Sequence, residues 1–135
     1  MQLVAYRPEY RIYLDTLQNH VVYERREEQT LAQDMPYFLA DWHRVLARLQ
    51  PGFTMLCDVS HTLGPNVRLV PLYVQLRELL NAAGLALLAE VHPPSLTMQA
   101  LSRLLSERSA LPVHRFTNRA EAEYFLLGHS LAQPA

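Results

Sequence analysis

Five polar residues sit where two apolar runs end, and their types could do chemistry. Asp58, Ser60, His61 and Thr62 stand at and just past the end of Phe53–Cys57, and His92 follows Leu85–Val91. If those runs are adjacent parallel strands, His61 and His92 would come within about 10 Å, roughly two strand spacings. Ligands favour the carboxyl edge of a parallel sheet, where loops and helix N-termini supply donors. Two imidazoles there would titrate near neutral pH. This makes the five residues candidates for binding a ligand or a partner. The competing reading is local: Asp58 and Ser60 bond to their own loop backbone, and the histidines are solvated.

The same residues make a poor catalytic set. Ser60, His61 and Asp58 are near neighbours in sequence, and such neighbours seldom converge on one point. No Gly-x-Ser-x-Gly turn presents a nucleophile. His61, His92 and Asp58 lack the helical or knuckle spacing of metal ligands. The four glycines do not cluster into a phosphate-binding loop. Cys57, the single cysteine, lies within an apolar run and reads as a small core residue. No catalytic residue, metal site or cofactor is therefore expected, and the chain is read as a non-enzyme.

The elements that would position these residues follow from periodicity. Tyr10, Ile12 and Leu14 alternate with Arg11, Tyr13 and Asp15, the period of a half-buried strand. Val21–Tyr23 is a second strand, joined through Thr16–Asn19 as a hairpin. Arg25–Glu28 reads as a solvated strand exit. From about Gln33 the period changes to that of a helix. Met35, Phe38, Leu39, Trp42, Val45, Leu46 and Leu49 form its apolar stripe, Asp34 its N-cap and Pro51-Gly52 its stop.

Phe53–Cys57 and Leu85–Val91 are apolar enough for strands buried on both faces. Between them, Val59–Val70 reads as a long connection, followed by a helix from Pro71 to Ala83 that ends on Gly84. Ser95 can cap a helix carrying Met98, Leu101, Leu104 and Leu105. Pro112–Phe116 is a last strand. Asn118 can cap a helix from Ala120 to Leu127, closed by Gly128. Tyr6, Tyr10 and Tyr13 read as cover for a sheet edge, or as a dimer contact. The order β-β-α-β-α-β-α-β-α gives an α/β fold: one mixed, mostly parallel sheet of about five strands in a single domain over residues 1–135, with a core at about 10–127.

Composition narrows the partners. The chain has 135 residues and a formal charge of −1, and its basic residues are all arginines. A balanced charge gives no reason to expect nucleic acid. No apolar run approaches the roughly 18 residues that span a bilayer, so membrane insertion is not expected. Met1–Pro8 lacks the pattern of a secretory leader, and one cysteine permits no internal disulfide. A cytoplasmic protein is expected.

Three passages resemble a known family, the STAS fold and within it the small stand-alone bacterial proteins called STAS-like or SpoIIAA-like. Pro51–Ser60 is similar to their glycine-phenylalanine strand that ends in an aspartate-aliphatic-serine triplet. Gly84–Val91 is similar to the next strand, entered from a helix-ending glycine. Phe116–Leu126 is similar to the closing phenylalanine, turn and acidic helix. The resemblance implies β-α units wound as a superhelix with consecutive strands adjacent. It also implies protein-binding or regulatory roles more than catalysis. The anti-sigma antagonists of this fold carry a phosphorylatable serine at a helix start. The corresponding stretch here, Leu63–Val67, has no hydroxyl, so that switch is not carried over. The expected function is a STAS-like protein-binding or regulatory module acting on a protein partner or as a homo-oligomer. A carrier of a small apolar molecule or lipid is the alternative.

Overall fold

The computed structural model describes residues 1–26, 35–62, 69–94, 96–108, 111 and 113–132. The expected helix start at Gln33-Asp34, the Ser95 cap, the Leu63–Val67 stretch, Glu27-Glu28 and Pro112 lie outside the described residues. Among the described residues the strands are β1 (Gln2–Tyr6), β2 (Tyr10–Asp15), β3 (His20–Arg25), β4 (Thr54–Asp58), β5 (Leu87–Val91) and β6 (Val113–Phe116). The helices are α1 (Phe38–Leu46), α2 (Val70–Ala83), α3 (Leu96–Arg108) and α4 (Arg119–Ala132).

All six strands form one mixed sheet in the order β1-β2-β3-β4-β5-β6. The pairings β1–β2 and β2–β3 are antiparallel, and β3–β4, β4–β5 and β5–β6 are parallel. The expected α/β class with one mixed sheet holds, and the runs around Thr54 and Leu87 lie side by side in parallel register. The strand count needs correction. β1 is an edge strand without alternation, and only its pairing with β2 makes it a strand. It adds a second antiparallel pairing, so the sheet is less parallel than expected.

Alternation along the central strands assigns the two faces. Ile12, Tyr23, Met55 and Leu88 point to the face covered by α1 and α2, where Phe38, Trp42, Val45, Leu76 and Leu80 complete the larger core. Val22, Leu56, Ala89 and Val91 point to the other face, against Ala122 and Leu126 of α4. Along its length α4 lies over β4, β5 and β6. Tyr10, expected at a sheet edge, is instead fully buried against Tyr23 and Phe38. Arg25, expected in solvent, is 1% exposed and bonds the Tyr73 hydroxyl.

Gly84 ends α2 in the left-handed region, at φ +91°, as expected. There a Cβ would sit 2.9 Å from Pro51 Cα and Cβ. Gly52 shares the φ of +91° but has open space around its missing Cβ. We expect Gly84→Ala to lower the unfolding free energy by about 2–3 kcal/mol through strain plus clash. Gly52→Ala should cost only the strain, about 1 kcal/mol. Denaturant titration of both variants checks this, and equal losses would show that the Pro51 contact does not matter. Gly128, expected as a helix end, lies inside α4, because Leu126 and its neighbours hold that helix on the sheet past a single glycine.

Candidate functional site

The five candidate residues divide between the two faces of the sheet. Cys57 points toward the α1–α2 face, so Asp58, one residue on, points toward α4. Asp58 is buried, and its Oδ2 accepts from Arg119 Nη1 at 3.2 Å. Arg119 opens α4 and also donates to Glu24 and, from Nε at 2.8 Å, to Glu123. Glu24 is the register partner of Asp58 on β3, so one guanidinium bridges two carboxylates that would otherwise repel. The other Asp58 oxygen, Oδ1, accepts from the Ser60 backbone N–H at 2.9 Å and from its hydroxyl. Thr62 is buried and donates its hydroxyl to the Val59 carbonyl at 2.7 Å. The segment 58–62 is thus a turn bonded to itself, with His61 exposed on it.

His92 lies on the opposite face, 3% exposed. Its Nε2 meets Glu90 Oε1 at 3.1 Å, and Ser102 of α3 donates its hydroxyl to the same oxygen. Arg77 of α2 donates to Glu90 Oε2 at 2.8 Å, and Arg115 of β6 donates from Nε to Ser102 Oγ at 2.8 Å. Burial opposes the charge on Glu90, but the bonds from His92, Arg77 and Ser102 outweigh it and hold the carboxyl below its usual range. An ionised Glu90 accepts, so His92 Nε2 carries the proton. That leaves His92 Nδ1 shielded and, among the described residues, without a hydrogen-bond partner. His61 and His92 are therefore not presented together: one is exposed on a turn and the other enclosed beneath helices.

Sequence reading missed Glu90, Arg77, Ser102, Arg115 and Arg119. The available signal was Glu90 itself, a carboxylate inside an apolar strand, which has to find a buried partner. Cys57 is half-buried in register between Tyr23 and Glu90, and burial pushes its thiol well above the ordinary range, which disfavours the nucleophilic thiolate.

A second feature was also unforeseen. At the amino ends of β3 and β4, a groove of about 220 Å³ opens between α4 and the β2–β3 hairpin, with Asp15, His20 and Thr54 on one side and Glu123, Leu126 and Leu127 on the other. His20 Nδ1 is 2.7 Å from Thr54 Oγ1, and burial lowers the His20 pKa. Among the described residues no group of three or more His, Cys, Asp or Glu side chains could hold a metal ion, and no helix is long and apolar enough to cross a membrane.

Comparison with protein-family models, with curated proteins and with solved structures gives no match. The site must be read from its own geometry.

Proposed function

We propose that the chain is a STAS-like, non-enzymatic binding module of the cytoplasm that acts through protein contacts, without the phosphorylatable serine of the anti-sigma antagonists. The observation that carries this reading is the commitment of the two carboxylates at this edge to neighbouring side chains and backbone. Both oxygens of Asp58 already accept hydrogen bonds, and both oxygens of Glu90 do as well. A carboxylate acting as a general base needs an oxygen open to the reacting proton. What this edge offers outward is a turn of fixed shape carrying Ser60 and His61. Serial parallel strands behind an antiparallel hairpin also agree with the superhelical order that the resemblance implies.

The carrier alternative has the groove beside His20 in its favour. Its volume of about 220 Å³ falls below the ~300–1,000 Å³ of ordinary ligand pockets. Protein contact is the better-supported reading.

Affinity capture tests it. The immobilised chain should retain a specific protein from lysate of its source cell. His61→Glu and Ser60→Arg, with unchanged circular dichroism, should weaken that retention at least about tenfold, because a new charge placed in a contact opposes a partner shaped for the parent turn. Retention of no protein, together with tight binding of a small apolar molecule, would sink the proposal in favour of the carrier.

A further inference from the structure

Among the described residues, one half of the sheet is covered on a single side. The α1–α2 face is packed across its width, whereas on the other face α4 lies over β4–β6. Among the described residues no helix lies along that face of β1 and β2, and only Tyr13 of β2 reaches the edge of the α4 cluster. The side chains there are Tyr6 and Arg11, which are register partners, then Leu3 and Tyr13, which are partners too. Tyr6 is 63% exposed and Leu3 45% exposed. Arg11 stacks on the Tyr6 ring at 4.6 Å, holding a cation on this open surface. The bare strip, with part of β3, is about three strands or 14 Å wide, enough for one helix of about 10 Å diameter.

The helix beside this strip has an outer face that matches it. Tyr124 is 79% exposed and Leu127 is 55% exposed, with Glu121 and Glu123 also in solvent. The levels along the strands correspond. Arg119 sits level with the Arg11–Glu24–Asp58 row, and Leu126 and Leu127 sit level with Asp15, His20 and Thr54. Reading down α4, acidic Glu121 therefore lies near the level of Arg11, and Tyr124 near the level of Leu3 and Tyr13.

We propose that this face pairs two copies of the chain about a two-fold axis running along the strands, each α4 lying on the bare strip of its partner. Such an axis exchanges ridge and trough while keeping every level, so Glu121 meets Arg11 of the second copy and Tyr124 meets its Leu3 and Tyr13. Each contact occurs twice, as in any isologous dimer. Two troughs and two helix faces bury on the order of 1,000 Å², the lower bound for a specific interface. A second copy is favoured over an unrelated helix because charge and apolar side chains match in the same order on one surface. The proposal goes beyond the reading above and uses a face separate from the 58–62 turn.

Sedimentation velocity of the full chain over a concentration series, beside the variants, tests it. The chain should be dimeric. Tyr124→Ala should weaken association about 30-fold, the cost of a central aromatic anchor. Arg11→Glu and Glu121→Arg should each weaken it about tenfold, and the double variant should return to within about threefold of the parent, because every pair is then reversed. Glu121 is exposed and Arg11 half-buried beside Glu24, so circular dichroism and a denaturant midpoint first establish that each variant folds. A monomer at all concentrations overturns the proposal, as does a dimer indifferent to all three substitutions or a double variant no tighter than its singles. A monomer that still retains a protein through Ser60 and His61 would remove the dimer and leave the binding-module reading intact.

Discussion

Glu90→Gln is expected to lower the unfolding free energy by about 3–5 kcal/mol, the range for removing one member of a buried ion pair. The Glu90 side chain is 8% exposed and the Arg77 side chain 6% exposed, so water cannot replace the lost carboxylate charge. The substitution also leaves Ser102 and His92 Nε2 facing an amide in place of an anion. The pair itself is a weaker asset than its breakage suggests, because both charges were desolvated to form it. Arg77→Leu with Glu90→Leu should therefore recover much of the loss, although Ser102 and His92 would then lose the Glu90 oxygen they share. Guanidinium titration of the parent and the two variants at pH 7 gives the comparison. A loss below about 1 kcal/mol in Glu90→Gln would mean that solvent reaches the cluster, and that Glu90 does not tie α2 and α3 to β5.

That cluster marks the boundary of what the sequence could reveal. Local periodicity made α1 and α2 legible, since a stripe such as Phe38-Trp42-Val45 is written within one turn or two. The left-handed Gly84 was legible for the same reason: glycine after an apolar helix is a local signal. Elements held by distant partners were not. β1 owes its existence to pairing with β2, and α4 continues through Gly128 because sheet packing overrides a local helix breaker. Arg25 read as part of a solvated strand exit and nothing local marked Arg77; only strand register and helix placement put them beside Tyr73 and Glu90. The candidate site suffered likewise. Asp58 and His92 were correctly placed at the ends of neighbouring strands, but one residue of alternation sends them to opposite faces.

Asp41→Ala should be comparably severe, at about 3 kcal/mol, and should change the acid limb of stability as well. Asp41 lies in the first turn of α1 with its side chain fully buried. It accepts two bonds from Arg7, at 3.0 and 2.9 Å, one from the Tyr10 hydroxyl at 2.6 Å and one from Arg44. The single carboxylate thus fastens the β1–β2 turn to α1 across the sheet, and alanine would leave the Tyr10 hydroxyl buried without its acceptor. Burial works against the charge on Asp41, but the bonds from Arg7 and Tyr10 outweigh it and hold its carboxyl below 3.8. A carboxyl depressed in the folded state stabilises fully above its unfolded pKa, and that contribution drains away as pH falls through the folded value. Stability should accordingly be flat near neutrality and decline below about pH 4, where Asp41 and Glu90 both lose charge. In Asp41→Ala the midpoint should already be low at pH 7 and should fall less steeply between pH 4 and pH 2. Parallel acid limbs in parent and variant would mean that Asp41 titrates normally, and that the Arg7–Tyr10–Asp41 fastening adds nothing to the charged form.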